Sequence, residues 1–290
     1  MRRPLSAVRW ILGLAVGVGL GFISAWSNPK AHPASAAERA LSGLAQRPSP
    51  QIDDGTLALE AVVGAFREVA MAGISVLSIE DTDASVIALQ VDLEILEPVL
   101  FGGESEGITA AGALAQVQAV VGSGFVAEVS SLDSVGLLQV QGRTLSPVQP
   151  HGYTRILGVR PEGLGIVGHR DYHRGMYDSA LQAGPGIVEA GLLDISERDL
   201  KRPRYLRAFV ATCGPMAVVG ATLRPMHLFT LGQRLLAWFA QAGLACDEVV
   251  NLAGDREAVL ALASSDGSRF AYVGHPLTAK ASLLGFRRRQ

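Results

Sequence analysis

The chain has 290 residues, with 25 lysines and arginines against 27 aspartates and glutamates, and 49% of its residues are hydrophobic. This length allows one large domain with a substantial core, and the formal net charge of -2 argues against a nucleic-acid partner held by phosphate neutralisation. The 33 glycines and the aromatic fraction of 6% favour a body rich in turns and strands over a helical bundle.

The N-terminal segment has the pattern of an export signal. Arg2, Arg3 and Arg9 precede an uncharged apolar run at residues 10–26, and small residues follow at 34–36. This order is typical of a secretory signal peptide or an N-terminal membrane anchor. An apolar run of about 17 residues is at the lower limit for spanning a bilayer, so both interpretations of residues 1–36 stay open. We expect an exported, periplasmic or extracytoplasmic body, which contacts the inner membrane through residues 10–26 if the segment is not cleaved.

The chain then changes composition twice. Residues 37–64 are predicted to be a flexible linker, because proline, alanine and serine are frequent before about Gly55. No later linker and no internal repeat interrupts residues 65–290, which we expect to form one domain.

Within that domain, most predicted elements are strands joined by tight turns. Residues 85–95 alternate as a strand does, and residues 108–122 begin as an alanine-rich helix and end as a strand. Two hairpins are predicted, one turning at Gly142 and one at Gly214.

Towards the C-terminus, a helix over 230–243 is predicted from the capping-box spacing of Thr230 and Gln233 and from Gly243 at its end. A buried strand follows at 247–252. The sequence therefore predicts an α+β fold with mixed, largely antiparallel sheets, hairpins and a few covering helices, preceded by the N-terminal apolar segment.

Cys213 and Cys246 are the only cysteines. An exported compartment permits a disulfide between them, but isolated cysteines also behave as small buried hydrophobes. We favour two buried free thiols, with the disulfide as the alternative.

Three short motifs follow one another along the domain. They are "VVGSGFV" (residues 120–126), "ALQAGPGIVEAG" (180–191) and "NLAGDREAV" (251–259), with Arg207 at a predicted strand start between the last two. In this order they resemble the Asn-Ala-Gly-Phe-Phe, Ala-Leu-Gln-Ala-Gly-Pro and Asn-Leu-Asp-Gly-Gly motifs of the phosphodiester glycosidase family. The resemblance extends over about residues 65–286 and is nearest to the exported bacterial branch of that family.

The resemblance implies a hydrolase that cleaves a sugar-1-phosphodiester in an envelope glycan or a related metabolite, with no metal or other cofactor. Arg207 would hold the phosphate, and Asp255 or Glu257 would supply acid–base help. The Gln182 amide would bind a sugar hydroxyl or phosphate, while Gly184 lets the ligand approach the backbone. The substrate-binding residues implied are Gln182, Gly184, Gly124, Asn251 and Gly254.

Two departures from the family pattern leave a non-enzymatic alternative open. The asparagine of the first motif is Gly122 here, and the aspartate of the last motif is Ala253. Loss of that carboxylate removes the simplest source of acid–base help. The chain could instead be a catalytically inactive envelope protein that binds a sugar phosphate. The structural alternative for Gln182 is that its amide satisfies buried backbone groups beside the Gly-Pro turn.

A further alternative comes from the stretch "GHRDYHRG" at residues 168–175. His169, Asp171 and His173 would share one face of a strand and could hold a divalent metal, but the geometry disappears if the strand ends at His169. His169 could also pair with Cys213, with Arg224 stabilising the oxyanion, as in a sortase-like cysteine transpeptidase. That interpretation leaves the three motifs unexplained.

Overall fold

A computed structural model describes residues 55–81, 84–103, 105–128 and 132–290, and the predicted signal or anchor segment lies outside these residues. The helices within them are α1 (Gly55–Val69), α2 (Ala110–Ala113) and α3 (Leu228–Ala242). Strands are numbered in chain order.

The largest sheet has seven strands, and its neighbouring strands are antiparallel. The predicted hairpin at Gly214 joins its fourth and third strands. In spatial order the strands are β1 (Ile74–Asp81), β2 (Ala84–Asp92), β15 (Met216–Thr222), β14 (Arg207–Cys213), β16 (Glu248–Gly254), β12 (Gly186–Glu189) and β13 (Leu192–Leu193).

Two five-stranded antiparallel sheets and one small hairpin complete the fold. One sheet has the order β10 (Gly163–Gly168), β9 (Arg155–Arg160), β11 (Ser179–Ala183), β7 (Leu138–Val140) and β8 (Arg143–Ser146). The other has the order β18 (Phe270–Gly274), β17 (Val259–Ala263), β4 (Ala119–Ser123), β19 (Ser282–Arg288) and β3 (Leu96–Gly102). The hairpin pairs β5 (Phe125–Val126) with β6 (Ser134–Val135).

The main core lies where apolar side chains of all three large sheets meet. Leu89, Val210, Val121, Leu260 and Leu157 come from these sheets and are completely buried in one cluster. Because side chains alternate across a strand, the seven-stranded sheet has a second apolar face, which packs on α3. This arrangement confirms the predicted α+β fold with largely antiparallel sheets.

Helix α3 packs through Leu231, Leu235 and Phe239, which lie four residues apart and are buried. It ends at Gly243, whose φ of 66° is the left-handed conformation predicted there. Its start differs from the prediction. The N-cap is His227 and makes no side-chain capping bond, so Thr230 does not begin a capping box.

Helix α1 shows that the folded body begins earlier in the chain than the sequence predicts. Leu59 and Val63 are buried in the main core together with Phe66, although the sequence places the first two in the linker. The linker boundary predicted at residue 64 is therefore too late, because α1 begins at Gly55. In the ranges that the structure describes, no helix is both long enough and apolar enough to cross a membrane.

Cys213 and Cys246 form a disulfide across 33 residues of sequence. The predicted free thiols are therefore wrong, although both residues are buried as expected. The bond joins the end of β14 to the segment between α3 and β16. It therefore links α3 covalently to the sheet on which this helix packs.

Candidate functional site

The motif at residues 180–191 forms a crossover between two sheets. β11 belongs to a five-stranded sheet and β12 to the seven-stranded sheet, and Gly184 and Pro185 join them through a cis peptide bond. Gly184 has a φ of 138°, and the Thr154 nitrogen lies 2.9 Å from where a Cβ would stand. The backbone at this point requires glycine, because residues with a side chain rarely adopt this φ and because a Cβ would have no space.

Asn251 fixes this crossover from the neighbouring strand. Its Nδ2 donates to the Gly184 carbonyl at 3.1 Å. The Gly184 N–H donates to the Asn251 carbonyl at 2.9 Å, and the Asn251 N–H donates to the Pro185 carbonyl at 3.2 Å. The second and third motifs therefore meet, as the sequence predicts.

Gln182 has a structural role that differs from the predicted substrate contact. The side chain is completely buried. Its Oε1 accepts from the N–H groups of Leu137 at 3.1 Å and Gln149 at 2.8 Å. Its Nε2 donates to the carbonyls of Gln149 and Tyr153, both at 2.8 Å. All four bonds go to backbone, so the amide positions the loop before β9.

The first motif reaches the same end of the molecule. Phe125 stacks on Tyr153 with ring centroids 4.6 Å apart, and the Tyr153 Cα is 3.5 Å from the position of a Cβ on Gly184. Gly124 has a φ of 82°, and a Cβ there would lie 2.5 Å from the Ser282 hydroxyl. Since β5 also packs against β16, the segments around Gly124, Gly184 and Asn251 are neighbours.

Neither family side chain that the sequence lacks has space at its position. A Cβ on Gly122 would overlap the Glu257 carbonyl oxygen. Ala253 is completely buried in the main core, at the position where the family has its aspartate. The backbone here is built around the small residues.

Arg207 lies at the start of β14, opposite Gly254 of β16. Only 8% of its surface is exposed, and its Nε has no hydrogen-bond partner among the described residues. The guanidinium lies over the Tyr205 ring, with Cζ 4.9 Å from the centroid. Burial lowers the pKa of Arg207, whereas the nearby Asp199 and Asp255 carboxylates act to raise it. A buried guanidinium with a free donor is suited to bind an anion.

The two acidic neighbours of Arg207 also hold the surrounding backbone. The exposed Asp255 accepts from the Leu206 N–H at 3.1 Å, with its own φ at 46°. Asp199, which is buried, accepts from the Phe229 N–H at 3.1 Å at the start of α3. Asp199 and Tyr205 were not predicted as site residues, because nothing in the local sequence distinguishes them from a polar turn.

The Asn251 side chain carries another unpaired polar group, on the same face of the sheet as Arg207. Asn251 pairs with Phe209, which lies two residues after Arg207, so the three side chains share a face. The Asn251 Oδ1 is buried and has no partner among the described residues. A buried acceptor near a buried donor is an arrangement that a polar ligand can complete.

Glu257 lies close to a lysine that the sequence did not indicate. Lys280 is completely buried, and its Nζ donates to the Arg256 carbonyl. The Glu257 carboxylate itself forms an ion pair with the Arg256 Nε at 3.8 Å. Burial raises the pKa of Glu257, and the charges of Lys280 and Arg256 lower it. Burial likewise lowers the pKa of Lys280, while Glu257 raises it. The bond from Lys280 to Arg256 ties the turn after β16 to the segment before β19.

A positively charged surface surrounds the exposed side of Arg207. We call it the basic surface. Its members are exposed, and within the part of the chain that the structure describes none of them forms an ion pair. They are Arg198, Lys201, Arg202, Arg204 and Arg224.

Two open cavities, of about 540 and 520 Å³, lie elsewhere. Both include Glu162, Gly163 and Leu164 at the turn between β9 and β10, and none of the predicted site residues lines either. The predicted site residues are therefore separate from these two cavities.

The two alternatives for residues 168–175 do not fit the structure. β10 ends at Gly168, and among the described residues no group of three histidine, cysteine or acidic side chains could hold a metal. The sortase-like interpretation is wrong because the Cys213 sulfur is in the disulfide. His169 instead places its Nδ1 3.2 Å from the Thr154 carbonyl.

The fold is similar to that of solved structures. No family model and no curated protein matches the sequence. Among solved structures, the chain is similar to the zebrafish N-acetylglucosamine-1-phosphodiester alpha-N-acetylglucosaminidase catalytic domain auto-inhibited by its pro-peptide. That likeness has a TM-score of 0.54 and 13% identity, covering 74% of this chain and 82% of that one. At this identity the likeness shows the fold alone.

Two further structures are similar at lower scores. A hypothetical protein from Synechocystis has a TM-score of 0.48 and 12% identity, covering 74% of this chain and 62% of that one. A putative exported protein from Burkholderia pseudomallei has a TM-score of 0.44 and 11% identity, covering 73% and 76%.

Proposed function

We propose that this protein binds a sugar phosphate or a glycosyl phosphodiester outside the cytoplasm, with Arg207 as the phosphate ligand, and does not hydrolyse it. The observation that carries the proposal is the buried guanidinium with a free Nε, on the sheet face that also carries the unpaired Asn251 Oδ1. A phosphate accepts the bonds that the guanidinium offers. A sugar hydroxyl donates the bond that Oδ1 lacks.

The ligand class is supported by the fold, since the zebrafish enzyme named above acts on an N-acetylglucosamine-1-phosphodiester. The absence of hydrolysis is supported by the apolar surroundings of Ala253 and by the overlap that a side chain at Gly122 would make. Glu257 is buried and lies beside the charges of Arg256 and Lys280. A carboxylate free to act as general acid is therefore missing from the family position.

Hydrolysis through Asp255 is the second candidate. It is favoured by one observation: Asp255 is exposed and close enough to affect the pKa of Arg207. This candidate predicts that purified protein releases the sugar and that Asp255→Ala abolishes the release.

Titration calorimetry with N-acetylglucosamine 1-phosphate tests the proposal. We expect wild-type protein to bind, and both Arg207→Gln and Arg207→Lys to lose at least about tenfold in affinity, because a charge-assisted bidentate contact is removed. Arg207→Lys keeps the charge beside Asp199, so the test does not depend on a variant that leaves this carboxylate unpaired. Arg143→Gln, which removes an exposed charge from β8, should bind as wild type does.

The same preparation is then incubated with the methyl phosphodiester of N-acetylglucosamine. We expect no release of the free sugar. Equal affinity of wild type and both Arg207 variants would contradict the binding site, and sustained turnover would replace the proposal by the hydrolase candidate.

A further inference from the structure

The exposed segment before β14 is unusual in its charge. Between residues 197 and 207 it carries five cations and two carboxylates, in a chain whose net charge is -2. One of the carboxylates, Asp199, is buried against the start of α3 and does not face solvent. The outward surface of this segment is therefore strongly positive.

The local structure places the cations of this segment on the exposed side of the chain. Residues Glu197–Lys201 form a short 3₁₀ helix, in which side chains three residues apart lie on the same side. Arg198 and Lys201 are related in this way, while Asp199 points inward. Across from this segment, Tyr205 forms a bridge with Met226, so the segment after β15 that carries Arg224 runs alongside.

Two other arginines of the described residues are neutralised by carboxylates, whereas the cations of the basic surface are not. Arg155 pairs with Glu189 and Asp194, and Arg287 pairs with Glu97. The basic surface has no such partners among the described residues. A cluster of unpaired cations repels itself and is stabilised by an anionic partner.

Two large apolar side chains project from the middle of the cluster. Leu200 is 45% exposed and Tyr205 is 37% exposed. A leucine and a tyrosine among arginines and lysines are the combination that binds at a membrane interface, where the apolar groups enter the headgroup layer and the cations contact anionic lipids. A soluble phosphate would use the cations but would leave Leu200 in water.

We propose that the basic surface, together with Leu200 and Tyr205, docks this protein on an anionic lipid bilayer. The occupant is the bilayer surface, which matches both the positive charge and the projecting apolar groups. Docking turns the Arg207 site towards the membrane, because the Tyr205 ring contacts the Arg207 guanidinium. The inference does not depend on which phosphate Arg207 binds.

Vesicle binding of the full chain tests this docking. The affinity for vesicles of phosphatidylcholine with phosphatidylglycerol is divided by the affinity for pure phosphatidylcholine vesicles. This ratio isolates the effect of anionic lipid from any binding of the N-terminal apolar segment, which is the same in every variant. We expect Lys201→Gln/Arg202→Gln/Arg204→Gln to lower the ratio about a hundredfold, since each cation near an anionic surface contributes about fivefold.

Matched controls show whether the effect depends on where the substituted cations and leucines lie, and not only on how many are removed. Arg143→Gln/Arg170→Gln/Arg174→Gln removes three exposed arginines elsewhere and should leave most of the ratio intact. Leu200→Ser should weaken binding, whereas Leu192→Ser should not, although Leu192 is 72% exposed. Equal losses in the two triple variants, or a ratio near one for wild type, would overturn the proposal.

Hydrogen exchange of the full chain locates the contact. Anionic vesicles should protect residues 197–206 and 223–226, and neutral vesicles should not. Protection confined to other segments contradicts the docking surface. So does protection of the same residues by N-acetylglucosamine 1-phosphate together with no response to vesicles, because it assigns the basic surface to a soluble ligand.

Discussion

Replacing Lys280 by methionine is expected to lower the free energy of unfolding by about 3 kcal/mol at neutral pH, because it removes the donor to the Arg256 carbonyl and the buried cation whose charge favours the ionised Glu257 carboxylate. Lys280 is completely buried and Glu257 is 8% exposed. Methionine has a similar shape, so the loss reports the charge more than the packing. The measurement is urea unfolding of the full chain, followed by circular dichroism.

A double variant distinguishes the loss of a charge interaction from a general loss of packing. Glu257→Gln/Lys280→Met removes both charges and should recover at least half of the loss. Burial raises the pKa of Glu257 from its ordinary value of 4.5, so the carboxyl is neutral at low pH. The loss caused by Lys280→Met should therefore shrink as the pH falls through the raised pKa of Glu257, which lies above 4.5.

An exposed ion pair on β19, the strand that follows Lys280, serves as the control. Arg287 pairs with Glu97 at 2.5 Å, but half of the Arg287 side chain is exposed. Arg287→Met should cost less than about 1 kcal/mol, as exposed pairs do. Equal costs of Lys280→Met and Arg287→Met, or no recovery in the double variant, would show that Lys280 does not act through Glu257.

Gln182→Ala is expected to cost about 4 kcal/mol in the free energy of unfolding. The substitution leaves four backbone groups without their partner, two N–H groups and two carbonyls. Each buried polar group left unsatisfied costs about 1–3 kcal/mol, and the loop at residues 147–152 is exposed enough for water to replace part of the loss. Gln182→Glu should also be costly, because a carboxylate cannot donate to Gln149 and Tyr153.

Gln116→Ala is the matched control, because Gln116 is exposed after α2 and should change stability little. The same urea titration measures all three variants. If Gln182→Ala remained as stable as Gln116→Ala, the amide would not be holding the loop, and the predicted substrate contact would regain its place.

The sequence predicted those elements that local signals define. The hairpins turn at Gly142 and Gly214, both with positive φ, as the glycines indicated. Helix α3 ends at Gly243 for the same reason. Its predicted start at Thr230 was wrong, because no side chain caps the helix and the packing of Leu228 and Leu231 sets the start instead.

Long-range partners account for what the sequence did not predict. Leu59 and Val63 sit in a stretch near prolines and serines, and only the core reveals that they belong to α1. Gln182 could not be assigned as a structural amide without knowing that Leu137, Gln149 and Tyr153 surround it. Lys280 is a single cation before an apolar strand, and that position is a signal that could have found it.

The candidate site was predicted in part. The convergence of the Gly124, Gly184 and Asn251 segments followed from the order of the motifs. Arg207 was identified because it opens an apolar strand at the place where the family resemblance implies an arginine, and a guanidinium there can contact a phosphate. The sheet face that it shares with Asn251 depends on the bulge between Ala208 and Phe209, which no local pattern indicates.

The account depends most on where an anionic sugar binds. A crystal structure with N-acetylglucosamine 1-phosphate measures this directly. We predict the phosphate at the Arg207 guanidinium, with a sugar hydroxyl donating to the Asn251 Oδ1. Phosphate bound instead in the cavity of Arg160 and Tyr177, with the Arg207 site unchanged, would contradict the account.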